Sequence, residues 1–98
     1  MQKTFKVDTA SGPVEAAQHA TFAHYIQGVQ FRFVVTQMPG EHLPSVTHRA
    51  SGKRVTSITV GDLSAALNDH KLAGKAALEA VIRRAGEARV RSVLAAAE

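Results

Sequence analysis

The sequence predicts an α+β fold: an antiparallel β-meander of about four or five strands, packed by two or three C-terminal α-helices. Three observations carry this expectation. Residues 22–35 alternate apolar and polar on either side of Gln27-Gly28, the pattern of a half-buried hairpin closed by a tight turn. Turn residues recur at Ser11-Gly12-Pro13, Pro39-Gly40 and Ser51-Gly52, dividing the first part of the chain into short strands. Beyond Thr59 the apolar spacing changes from two to that of a helix. With 98 residues the chain fits a single domain, since domains commonly run about 100–150 residues. Residues 1–59 read as mainly β and 60–98 as helical.

Taken in order, Thr4 to Asp8 alternates and supplies a candidate edge strand. Val14 to Gln18 is open between a short helix and a strand. In the hairpin, Ile26 opposite Val29 pairs His24 with Phe31, Phe22 with Phe33 and Ala20 with Val35. One face then carries Phe22, His24, Ile26, Val29, Phe31, Phe33 and Val35, and the other Thr21, Ala23, Tyr25, Gln30, Arg32 and Val34. Gln37 to Pro44 is a loop, because Pro-Gly breaks the ladder. Ser45 to Ile58 is rich in Thr and Val and reads as a second hairpin turning at Ser51-Gly52. That turn sets Arg49 directly across from Arg54, with Lys53 adjoining them. Asp62 caps a short helix running through Leu63, Ala66 and Leu67 to about Asp69, and Gly74 precedes an Ala-rich helical stretch.

The segment Ile82 to Val93 holds four arginines, Arg83, Arg84, Arg89 and Arg91, around Gly86. At about 100° per residue, Leu78, Val81, Ile82 and Ala85 share one face. A continuous helix places Arg89 in the middle of that face and turns Val90, Val93 and Leu94 away from it. Restarting the helix after Gly86 restores a second apolar face of Val90, Val93, Leu94 and Ala97. Gly86 is therefore a break, a kink or a one-residue bulge, with Arg83 and Arg84 edging one stripe and Arg89 and Arg91 the other.

Composition narrows the function classes. Seventeen alanines and no tryptophan leave a thin core, which docking on a partner or on a second copy would support, so a homodimer is compatible with the sequence. The absence of cysteine excludes a disulfide framework or a thiolate zinc site. No apolar run approaches the about 18 residues of a membrane span, and Met1 to Lys6 lacks the apolar stretch of a secretory signal. The sequence reads as cytoplasmic, with no membrane partner. Lys3, Lys6 and Arg32 balance Asp8, Glu15 and Glu41, so the whole net charge of +4 lies in residues 49–98. Such asymmetry favours an acidic partner.

Chemistry-bearing motifs are sparse. The five histidines form no H-x-x-x-H or H-E-x-x-H pattern. His19 and His24 face opposite sides of a regular strand, and His24, among phenylalanines, reads as a hydrogen-bonded core histidine. No G-x-S-x-G elbow accompanies the serines. These features point away from an enzyme, a metal or a cofactor. Arg49, Lys53, Arg54, Arg83, Arg84, Arg89 and Arg91 are the candidate partner- or phosphate-binding residues, with Tyr25 and Arg32 as a candidate stacking pair. The expected function is a non-enzymatic protein-binding module, an adaptor or an inhibitor of phage or plasmid type acting on an acidic or nucleoprotein partner. The alternative is a DNA- or RNA-binding protein that contacts phosphates through the hairpin tip and helix arginines.

Overall fold

The computed structural model describes residues 3–98; Met1 and Gln2, which open the stretch read above for a signal, lie outside the described residues. The strands are β1 (Thr4–Thr9), β2 (Gly12–Ile26), β3 (Val29–Gln37), β4 (Ser45–His48) and β5 (Arg54–Ser57), followed by α1 (Val60–Ala65), α2 (His70–Ala85) and α3 (Glu87–Ala97). Successive strands pair antiparallel in the order β1-β2-β3-β4-β5, so the fold is the α+β meander the sequence predicts. Val14 to Gln18 belongs to β2, a strand of 15 residues.

The β2–β3 hairpin has the predicted register, Ile26 opposite Val29 and Phe22 opposite Phe33. Gln27 and Gly28 both take positive φ, 50° and 80°, as a twist-matched two-residue turn requires. Toward the other end of β2, His19 is an extra residue that shifts the pairing between Gln18 and Ala20. Such a bulge reverses the facing of what precedes it. Phe22, Ile26, Phe31, Phe33, Val35 and Val46 thus join Ile58 and the helices in the main core. Val7, Ala16, Val34, Thr36, Ser45 and Thr47 are buried on the opposite face. There the sheet curls: the Asp8 amide donates to the Gly52 carbonyl at 2.7 Å, tying β1 to the β4–β5 loop. Thr36 and Thr47 pair their hydroxyls at 2.9 Å inside this second, smaller core, which satisfies both polar groups away from water.

Two helix starts differ from expectation. Thr59, not Asp62, caps α1; its hydroxyl accepts from the Asp62 amide while the Asp62 carboxylate accepts from the Thr59 amide, a reciprocal capping box. Asp69, placed at the end of that helix by the sequence, instead caps α2 through the Lys71 and Leu72 amides. Consequently Gly74 lies inside α2 rather than ahead of it. Its lack of a side chain is a packing requirement: a Cβ there would meet Val35 Cγ2 at 2.8 Å and Phe22 Cε1 at 2.9 Å. Ala73, Ala77 and Leu78 bury the same helix face.

Gly86 breaks the helix outright. With φ 91° and ψ 142° it occupies a region nearly reserved for glycine. It ends α2 through a bond to the Ile82 carbonyl and starts α3 through one from the Val90 amide. The new phase buries Val90 and Leu94, one turn apart. Val93, expected on that buried face, is instead 61% exposed.

The close approach at Gly74 makes a direct prediction. Gly74→Ala gains roughly 1 kcal/mol of helix propensity but overpacks Phe22 and Val35, at about 1–3 kcal/mol. Urea unfolding should show a net loss of stability, larger for Gly74→Val. A stabilised Gly74→Ala protein would contradict the packing.

Candidate functional site: an apolar groove with a cationic rim

A largely apolar recess lies between the β4–β5 hairpin and the α2–α3 corner, with a volume of about 290 Å³. Its floor is aliphatic, from Val55 on β5, Val81 on α2, and Val90, Val93 and Leu94 on α3. Val55 reaches it because β5 carries a bulge: Val46 pairs with Thr56 and Thr47 with Arg54, leaving Val55 unpaired between them. Lys53, Arg54 and Arg89 form the rim. Arg89, which a continuous helix would bury, is carried to this edge by the break at Gly86.

One end of the groove is closed by a polar relay. His48 is 1% exposed. Its Nε2 lies 3.1 Å from Glu98 Oε2 and its Nδ1 2.8 Å from Ser51 Oγ. The ionised Glu98 carboxylate only accepts, so in the neutral ring Nε2 donates to it and Nδ1 accepts from the Ser51 hydroxyl. Ser51 Oγ in turn accepts from the Lys53 amide at 3.2 Å. A serine, a histidine and a carboxylate in line resemble a nucleophile activated by a base, and the two amides that follow Ser51 are engaged within the loop. The Gly52 amide donates to the His48 carbonyl and the Lys53 amide to Ser51 itself. The relay's evident work is to pin the hairpin loop to the end of α3.

A second network braces the rim from the other side. Arg54 donates to Glu41 Oε2 at 3.2 Å, and Glu41 Oε1 accepts from the Met38 amide. Gln37 donates through Nε2 to the Glu41 carbonyl, which leaves its Oε1 to accept from His19 Nε2 at 2.9 Å. His19 stacks on His70, with ring centroids 4.3 Å apart and planes 13° from parallel. The bulge has turned His19 to the helix side, and His24 reaches that side too, lining a cleft with Glu79 and Ile82. The expectation that these two histidines face opposite sides is corrected. His24 is only half-buried; the hydrogen-bonded core histidine is His48.

The remaining candidates do not converge. Arg49 is not opposite Arg54: a longer loop separates them, Arg54 pairs with Thr47, and the Arg49 amide donates to the Arg32 carbonyl. Like charges are thereby kept apart. Arg32 and Arg49 border a shallow cleft with Gln30, Ala50 and Glu98. Tyr25, 66% exposed, lines the cleft of His24 with Arg83, Glu79 and Glu87, and is a diagonal neighbour of Arg32 across the β2–β3 ladder. Arg84 and Arg91 are exposed and border none of these recesses. Of the seven basic residues singled out from the sequence, the groove gathers Lys53, Arg54 and Arg89.

Sequence reasoning missed His48, Ser51 and Glu98 as a unit. The short His48–Ser51 spacing inside a turn was a local signal, but Glu98 is 50 residues from His48 and nothing local announced it. Among the described residues no group of three or more His, Cys, Asp or Glu side chains is placed to hold a metal ion, and no helix is long and apolar enough to cross a membrane.

Two predictions follow from these networks. Ser51→Ala removes the partner of a buried imidazole nitrogen, at about 1–3 kcal/mol, whereas Ser57→Ala on the exposed end of β5 should stay within about 0.5 kcal/mol. Chemical denaturation of the two variants measures the difference, and equal midpoints would refute the relay's role. The second concerns pH. Burial first, and then the neighbouring His19, hold His70 below the ordinary 6.5, partly offset by Asp69. The folded state thus binds this proton less readily than the unfolded one, and stability is fully present above 6.5 and falls as pH drops below it. Urea midpoints between about pH 7.5 and about pH 5 should decline, and His70→Gln should flatten the slope. A slope unchanged in that variant would assign the effect elsewhere.

No protein-family model, no curated protein and no solved structure matches this chain.

Proposed function

We propose that the chain is a small non-enzymatic protein-binding module, an adaptor or inhibitor that docks on an acidic partner through the groove between the β4–β5 hairpin and the α2–α3 corner. The observation that carries this reading is an aliphatic recess edged by Lys53, Arg54 and Arg89, with Val93 standing open at its mouth. Apolar area left in water is costly at about 25 cal/mol per Å². A recess held open by two hydrogen-bond networks is suited to burying a partner's side chains. The Ser51–His48–Glu98 relay is read as scaffold, because both backbone amides following Ser51 are already engaged.

A nucleic-acid reading draws on a different observation. Arg32 and Arg49, adjacent across the β3–β4 ladder and both exposed, present two cations together on the outer rim of the sheet. It has less support, since phosphate tracking needs a run of cations and the arginines point to several faces.

Affinity capture from lysate, with and without nuclease, separates the readings. A protein recovered equally after nuclease, and lost with Val93→Asp, is the expected outcome. Recovery that disappears on nuclease treatment would favour the nucleic-acid reading, and a clean absence of captured protein would count against both adaptor and inhibitor.

A further inference from the structure

We infer that the groove receives a linear segment of the partner protein in which a large apolar side chain is flanked by carboxylates. This rests on the protein-binding reading above and specifies the chemistry of what is bound.

The argument starts from the charge of the lining. Lys53, Arg54 and Arg89 stand around the aliphatic floor, and the carboxylates at its edges, Glu98 and Glu41, are engaged by His48 and Arg54. Of the three cations, Arg54 is paired with Glu41, whereas among the described residues Lys53 and Arg89 have no acidic side chain within ion-pair distance. In the neighbouring cleft, by contrast, Glu79 and Glu87 line the same recess as Arg83. The groove therefore carries two unpaired cations, Lys53 and Arg89, beside an apolar floor. Its complement is an apolar anchor between negative charges.

Other occupants fit less well. A second copy of this chain, docked with the two-fold axis through the groove, would bring the cationic rims of both copies together. Nucleic acid offers phosphates but no aliphatic group to fill the floor. Conversely the floor, formed by valines and Leu94, lacks an aromatic on which a base would stack. An acidic peptide with an apolar anchor satisfies both the floor and the rim. The relay matters here because it fixes Lys53: the Lys53 amide is tied to Ser51, and through His48 to Glu98 at the end of α3. The rim is thus preorganised by the same contacts that close the groove's end, which lowers the ordering cost of binding.

The test uses the full chain and a fluorescently labelled peptide carrying leucine and phenylalanine among glutamates, followed by anisotropy. Saturable binding is expected, about tenfold weaker when the glutamates are replaced by glutamines, and weakening steeply as salt is raised. Arg89→Glu and Val93→Asp, both at exposed positions, should each abolish the signal while circular dichroism and urea midpoints stay near those of the parent. Equal affinity for the glutamate and glutamine peptides would overturn the proposed carboxylate recognition. So would undiminished binding by Arg89→Glu, or absence of saturable binding up to about 1 mM peptide. Tighter binding of a labelled single-stranded oligonucleotide than of the peptide would transfer the groove to nucleic acid. A partner captured from lysate by the parent and lost with Val93→Asp, while the glutamate peptide does not bind, would refute this inference and leave the protein-binding reading intact. Capture of no protein would refute that reading.

Discussion

The architecture depends on how closely α2 can lie on the sheet, and Gly74 sets that distance. At this position the helix backbone rests against Val35 and Phe22, with no room for even a methyl group between them. Ala73 and Ala77 extend the same small-residue face, and Leu78 completes it. A protein with no tryptophan and many alanines has little side-chain volume to fill a wide gap between layers. Close approach of backbone to sheet is how such a composition reaches interior packing density. The phenylalanines supply the bulk from the sheet side, and the helix supplies the absence of bulk.

Once α2 is seated, the break at Gly86 decides where everything C-terminal goes. Its backbone conformation releases α3 from the phase of α2 and turns Val90 and Leu94 onto the core. The same turn sends Glu98 to a buried histidine on β4. The groove is the space left between two helices that cannot be collinear and the hairpin beneath them. It is flanked by the Ser51–His48–Glu98 relay at one end and by the Arg54–Glu41 brace at the rim, which lends it definite edges on an otherwise alanine-rich surface.

The fold was readable where local chemistry and tertiary packing agree. The β2–β3 hairpin obeyed its period-two pattern and turn residues, and the break at Gly86 followed from an arginine that a continuous helix would have buried. The readings failed where a single extra residue or a long-range contact intervened. The bulge at His19 reverses facing without any special residue type to announce it. The β4–β5 loop was assigned too short a turn, so Arg49 and Arg54 were set opposite each other when Thr47 is the partner of Arg54. Thr59 and Asp62 both suit a helix start, and spacing alone did not decide which was the cap and which its reciprocal partner. Gly74 read as preceding its helix because the phenylalanine it touches lies 52 positions earlier, beyond any local window. Of the site, the rim cations were named from the sequence, but their grouping and the floor beneath them were not.

That difference bears on how charge asymmetry is used. The excess of nine basic over five acidic residues in the second half of the chain is a property of the sequence, and a folded chain redistributes it. Arg83 shares a cleft with Glu79 and Glu87, Arg49 borders another with Arg32, and Arg84 and Arg91 are exposed. A surface that spreads its cations over several faces gains solubility but not a continuous phosphate-binding track. What remains locally concentrated is three cations, and they are concentrated around apolar side chains rather than around one another. Positive charge beside water favours anions of any kind, whereas positive charge beside an open aliphatic floor favours an anion that also brings hydrocarbon. It is on this pairing, produced by a glycine that breaks a helix and a bulge that frees a valine, that the selectivity proposed for the groove rests.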